Sequence, residues 1–243
     1  MKKNQVKDAA MILAAIVVGC GSIGLLAFGP GGAVDLHLSR AGALALDAIL
    51  SLAFFVQHSV MVRRPVKAAM ARRIPERYLG AIYAITSGVV LGTVVLLWQR
   101  TETWAVATGP LRWAGIALSL LATAGFVWGF ASLRHHDPLG IRAIRAHRAG
   151  LPEPAAALQV RGPYRWVRHP LYLCVLVLFW ANPEVSADRL LFNLLWSAWV
   201  VLATFLEERD LTAELGVQYL AYRQRVPMLL PWKGPAPADL GKE

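Results

Sequence analysis

The chain has 243 residues, of which 56% are hydrophobic and only 16% charged, with a mean hydropathy of +0.47. That balance excludes an ordinary soluble domain and points to a polytopic membrane protein with little mass outside the bilayer. The net charge of +10 does not imply a nucleic-acid partner, because the basic residues fall between apolar runs and form no separate basic domain.

Met1-Lys2-Lys3 followed by an apolar run imitates a signal peptide, but the run reaches residue 28, too long for a signal core, so a retained first span is expected. Further spans are predicted over 43–62, 79–98, 113–133 and 190–206. A short run over 171–181 is predicted as half of a tight helical hairpin broken at Asn182-Pro183. The fold class is therefore all-α, a membrane bundle of five to six helices. The expected organisation is transmembrane helices over 1–133, a ligand-binding region with the hairpin over 134–235, and a disordered tail over 236–243.

With six crossings, only Arg40, Arg100, Arg112 and Arg189 of the 25 Lys and Arg fall on one side. The positive-inside bias then places both termini in the cytoplasm. Four polar groups fall on that same side: Gln57-His58-Ser59, His135-His136-Asp137, Arg168-His169 and Glu207-Glu208.

Smaller features carry less. Gly19-Cys20-Gly21-Ser22-Ile23-Gly24 spells a dinucleotide fingerprint, but no strand precedes it and it lies within a span, so small-residue packing is the reading. Gly88/Gly92 and Gly125/Gly129 read as close helix contacts, within the chain before between chains; no oligomeric state follows from them. Arg142, Arg145, His147 and Arg148 suit either anionic headgroups or a solvated connector. Cys20 and Cys174 sit in apolar runs and form no pair. His135-His136-Asp137 lack ligand spacing, and no metal is expected.

The densest polar stretch, residues 161–172, carries Tyr164, Arg168, His169, Pro170, Leu171 and Tyr172 directly before the short apolar run. Carboxylates at a membrane boundary usually have a partner. Glu207 and Glu208 suit an ammonium; Arg168 and His169 suit a carboxylate; Tyr164 and Tyr172 suit a flat base or a sulfonium. Together these are the parts of S-adenosylmethionine. A structural salt bridge between the glutamates and arginines explains the same residues equally well.

Gly162-Pro163-Tyr164, Arg168-His169-Pro170 with Tyr172, Glu207-Glu208 with Leu211, Gly216 with Tyr219 and Tyr222, and Arg225-Val226-Pro227 occur in this order. The set resembles the superfamily of isoprenylcysteine carboxyl methyltransferases and phospholipid methyltransferases, which are integral-membrane enzymes using S-adenosylmethionine. The resemblance implies that Tyr164, Arg168, Glu208 and the run from His169 to Tyr172 contact the cofactor, with Leu158 and Gln159 nearby through backbone groups. It places the catalytic acid at Glu207.

A closer resemblance, carried by Phe55-Val56-Gln57-His58-Ser59, Asp137-Pro138-Leu139-Gly140, Phe179-Trp180-Ala181-Asn182-Pro183 and Leu206-Glu207-Glu208-Arg209-Asp210, is to bacterial methanethiol S-methyltransferases. It implies a small thiol as methyl acceptor. Such a thiol must lose its proton, for which His58 is a second candidate after Glu207; a hydrogen-bonded polar residue packed at a helix end is the other reading of His58. The N-terminal half also resembles a membrane family linked to nitrite and nitric oxide metabolism. Two positions depart from the superfamily pattern. Cys174 stands where a glycine is usual, and Ala203 stands where the carboxyl-methylating branch carries an arginine. The second departure favours an acceptor without an anionic handle. A lipid acceptor, or a non-enzymatic transport or accessory role, is the alternative.

Overall fold

The computed structural model describes residues 2–27, 31–133, 137–152 and 158–237. In chain order its elements are α1 (Lys2–Ala27), α2 (Arg40–Met61), α3 (Arg64–Ala71), α4 (Leu79–Leu97), β1 (Thr103–Val106), α5 (Gly109–Ser132), α6 (Ile141–Ala149), α7 (Pro170–Trp180), β2 (Glu184–Ser186), α8 (Ala187–Leu215) and α9 (Val217–Arg225). The protein is an all-α bundle with one two-stranded ribbon. Among the described residues, five helical stretches are long and apolar enough to cross a membrane: Gln5–Ser22, Arg40–Met61, Glu76–Leu97, Gly109–Ser132 and Ala187–Leu215. At 11 residues, α7 is about half a bilayer long.

The chain forms two compact units, one of residues 1–101 and 137–155, the other of 102–136 and 156–243. The expected division falls at residue 133, whereas packing groups the helices as follows. α6 belongs to the first unit, where it packs on α1 and α4. The left-handed Gly140 before it touches Gly80 and Ala81 so closely that an added Cβ would lie 2.2 Å from their backbone. α5 belongs to the second unit, where its small residues close on α7: a Cβ at Gly129 would lie 2.8 Å from Leu171, and one at Gly115 2.7 Å from the Ala181 carbonyl.

In the first unit α1 runs along α4, and Gly88 of α4 meets the Val18 carbonyl of α1. Gly92 has no such neighbour. Gly19 faces Leu139, which is packing and not nucleotide chemistry. At the start of α1, buried Asp8 accepts the Tyr78 hydroxyl. At the other end of this unit, fully buried Asp47 accepts the Gln99 backbone N–H, and the Gln99 side chain caps Val34, Leu36 and Leu97. The stretch between α2 and α4, a loop by sequence, contains α3 and a 3-10 turn at Glu76–Tyr78.

In the second unit α5, α7 and α8 pack side by side. The break between α7 and α8 is where the sequence puts it: Asn182 Oδ1 accepts the Glu184 N–H, and Pro183 accepts from Ala107. β1 and β2 then pair antiparallel, Thr103 opposite Ser186. The ribbon has no sequence signal, because its strands have only four and three residues. Phe179, Phe192 and Trp196 pack against one another between α7 and α8. The tail after Trp232 is not free in its described part. Ala236 is buried against Val160, Tyr219, Tyr222 and Val226, and it exchanges backbone and side-chain hydrogen bonds with Arg165. Residues 238–243 lie outside the described residues.

Candidate functional site

α8 has 29 residues, about 43 Å of helix, so a stretch of about 30 Å starting at Ala187 ends near Leu206. Glu207 and Glu208 follow at once. Neighbours on a helix point about 100° apart, and the structure uses that angle to separate the pair.

Glu208 is buried and faces a cluster of cations. Its Oε1 accepts from Arg168 Nε at 2.6 Å and lies 3.2 Å from His169 Nε2; its Oε2 lies 3.4 Å from Arg223 Nε. The Arg168 side chain is 9% exposed, and its Nη1 also donates to the carbonyls of Arg223 and Val226. The backbone N–H groups of Arg168 and His169 donate to Pro227 and Met228. Arg168 and Glu208 thus tie the start of α7, the end of α8 and the segment after α9 into one frame. Both are expected at the cofactor; in the structure they pair with each other.

Glu207 is different. Its side chain is 42% exposed, and its Oε2 accepts the Tyr172 hydroxyl at 2.6 Å. His169 Nδ1 stands 3.9 Å from the same carboxylate. The rings of His169 and Tyr172 are parallel, 5.5 Å between centroids and 1° between planes. Pro170 starts α7 as its first residue, where no backbone donor is needed. That start sets His169 and Tyr172 one turn apart on the same face.

Tyr164 lies on the 3-10 turn Gly162–Arg165, which Gly162 opens at φ +54°. A Cβ at Gly162 would lie 2.3 Å from the Ser132 hydroxyl, so only glycine seats this turn against α5. The Tyr164 carbonyl accepts the Tyr222 hydroxyl at 2.7 Å. Burial, then the nearby Glu207 and Cys174, push the Tyr164 phenol well above its ordinary range. Burial and the Tyr219 phenol do the same to Tyr222, and burial and Glu208 to Tyr219. All three are neutral at physiological pH.

Leu158 packs on the Tyr219, Tyr222 and Val226 cluster, and Gln159 beside it is half-buried. Pro170 is buried and Leu171 faces Gly129 of α5. Cys174, in place of the usual glycine, is accommodated across the interface: a Cβ at Gly125 of α5 would come within 3.0 Å of its sulfur.

His58 belongs to the first unit, on α2. The Tyr83 hydroxyl of α4 lies 2.7 Å from its Nε2, and the Phe54 ring is tilted against it with centroids 5.1 Å apart. One turn along α4, Ser87 accepts from Gln57 Nε2. His135 and His136 lie outside the described residues. Among the described residues no group of three His, Cys, Asp or Glu side chains comes together. Arg223, Tyr83 and the carbonyls of Val226, Pro227 and Met228 are participants that sequence reasoning missed. Backbone acceptors carry no residue signature. The Arg223 and Tyr83 contacts arise only on folding, 15 and 25 residues from their partners.

The chain is 35% identical over 201 residues to a methanethiol S-methyltransferase of Mycobacterium tuberculosis, a match covering 78% of this chain and 79% of that protein. It is 35% identical over 201 residues to the methanethiol S-methyltransferase of Pseudomonas deceptionensis, covering 78% and 73%. Nurim of Rattus norvegicus is 29% identical over 183 residues, covering 70% and 68%. No family model matches the chain, and no solved structure does. At this identity and coverage, with the all-α membrane architecture described above, the chain belongs to the methanethiol S-methyltransferase family of membrane methyltransferases.

Proposed function

We propose that this protein is an S-adenosylmethionine-dependent thiol methyltransferase of the bacterial plasma membrane, converting methanethiol to dimethyl sulfide at a site open to the cytoplasm. One observation carries the reading: the Tyr172 hydroxyl on Glu207 Oε2 at 2.6 Å joins the two sequence clusters at one place. The parallel His169 and Tyr172 rings fit the sulfonium of the cofactor, and the half-exposed carboxylate beside them fits a proton acceptor. When bound, S-adenosylmethionine supplies an electrophilic methyl group on a cationic sulfur.

The chain's own residues supply binding, alignment and proton removal. Tyr164, His169 and Tyr172 hold the cofactor, with Leu158 and Gln159 contributing backbone groups. Arg168 and Glu208 act as positioning residues, because each is occupied by the other. A thiol must lose its proton to become a nucleophile, and Glu207 accepts it. Tyr172 orients that carboxylate. Ala203 leaves no cation one turn before Glu207, which suits an uncharged acceptor.

The purified full chain is given S-adenosylmethionine and methanethiol, and the headspace is analysed by gas chromatography. Dimethyl sulfide above the empty-vector background is the expected result. Labelled methyl found in lipid with none in dimethyl sulfide would replace the thiol by a lipid acceptor. No methyl transfer to either, with no binding of S-adenosylhomocysteine by calorimetry, would remove the enzyme.

A further inference from the structure

The face of α8 opposite Glu207 carries a second feature. Leu194, Ala198, Leu202, Phe205, Arg209 and Ala213 recur at helical spacing, and all six are exposed. Leu194 to Phe205 is 11 residues, about 16 Å of helix, close to the ~15 Å hydrocarbon depth of one leaflet. This stripe differs from a plain lipid-facing surface in where it ends. It runs into an open cleft of about 350 Å³ between α8 and α9, lined by Phe205, Glu208, Arg209, Thr212, Ala213 and Arg223.

The cleft is cationic at its rim. The Arg209 side chain is 72% exposed, and its contact with Asp210 is long, at 3.9 Å, and solvated, so it is weak. Arg223 is half-exposed and reaches the Thr212 hydroxyl at 3.5 Å. The one carboxylate inside, Glu208, is already paired by Arg168, His169 and Arg223. Two guanidinium groups that follow directly on a leaflet-deep apolar stripe match the layout of an anionic lipid: acyl chain below, phosphate above.

We propose that the cleft between α8 and α9 holds the phosphate of an anionic membrane phospholipid, between Arg209 and Arg223, with one acyl chain laid along Leu194, Leu202 and Phe205. Because Arg223 also contacts Glu208, the lipid seats against the same frame that positions Arg168 and His169.

Native mass spectrometry of the full chain in detergent tests this, with dioleoylphosphatidylglycerol or dioleoylphosphatidylcholine added at equal concentration. The phosphatidylglycerol adduct is expected to be retained preferentially. Its affinity should fall about tenfold in Arg209→Gln, one lost charge-assisted contact, and severalfold in Phe205→Ala. Methyl transfer is not the readout, so failure here leaves the enzymatic reading standing. Equal retention of the two lipids, or unchanged affinity in Arg209→Gln, would overturn the proposal. So would displacement of the lipid by millimolar inorganic phosphate, which would mark a free-anion site. A lipid-free dimer that Phe205→Ala dissociates would show that a second copy covers the stripe.

Discussion

Glu207 and Glu208 are adjacent in sequence and take opposite parts. Glu208 is buried and surrounded by cations, while Glu207 reaches out to Tyr172. Removing the guanidinium of Arg168 leaves a buried carboxylate short of its closest partner. Arg168→Met should therefore destabilise the protein by about 3–5 kcal/mol, seen as a lowered thermal midpoint in detergent. Tyr172→Phe keeps the ring and loses only the hydroxyl on Glu207. Its folding should be unchanged and its kcat reduced by roughly tenfold, the effect of one hydrogen bond to a charged group; an unchanged kcat would mean that the hydroxyl does not orient the carboxylate. The residue types of this site were legible from the sequence motifs. Their division between frame and reaction was not, since adjacent residues on a helix gain different surroundings only when α9 and the segment after it fold back.

Among the elements, α5 and α7 meet through small residues, and Gly125 faces Cys174 closely enough that a Cβ there would lie 3.0 Å from its sulfur. Gly125→Val should lower thermal stability, and Cys174→Gly should restore a good part of the loss in the double variant. Additive losses would show that the two positions do not touch. The sequence marked Gly125 and Gly129 as a packing face and Cys174 as a departure. It gave no sign that one answers the other, because pairing between helices is not encoded in spacing along either.

α9 has its own signature. The Tyr222 phenol is raised by burial, and it donates to the Tyr164 carbonyl. A group whose pKa is raised on folding stabilises fully below its unfolded value and loses that contribution as pH rises through the folded one. For tyrosine the unfolded value is about 10. The docking of α9 should thus be insensitive to pH from 6 to 9 and weaken only above about pH 10. Thermal melts across that range check this, and Tyr222→Phe should blunt the alkaline loss.

At the scale of the molecule, run length against bilayer thickness located every long helix in the described residues. Domain boundaries were less legible. α5 and α6 exchange units relative to the sequence order, because Gly140 seats α6 against α4 and the small face of α5 seats it against α7. The positive-inside bias gives a topology test. Reporter fusions at both termini should report the cytoplasm, and a fusion at Arg112 the opposite side; any other pattern contradicts a cytoplasm-facing site.

The most direct test of the account is Glu207→Gln in the purified full chain, assayed together for S-adenosylhomocysteine binding and for dimethyl sulfide formation. If Glu207 takes the thiol proton, binding stays within a few-fold of the parent protein while turnover falls by at least about 100-fold. Turnover equal to the parent, with binding intact, would contradict it.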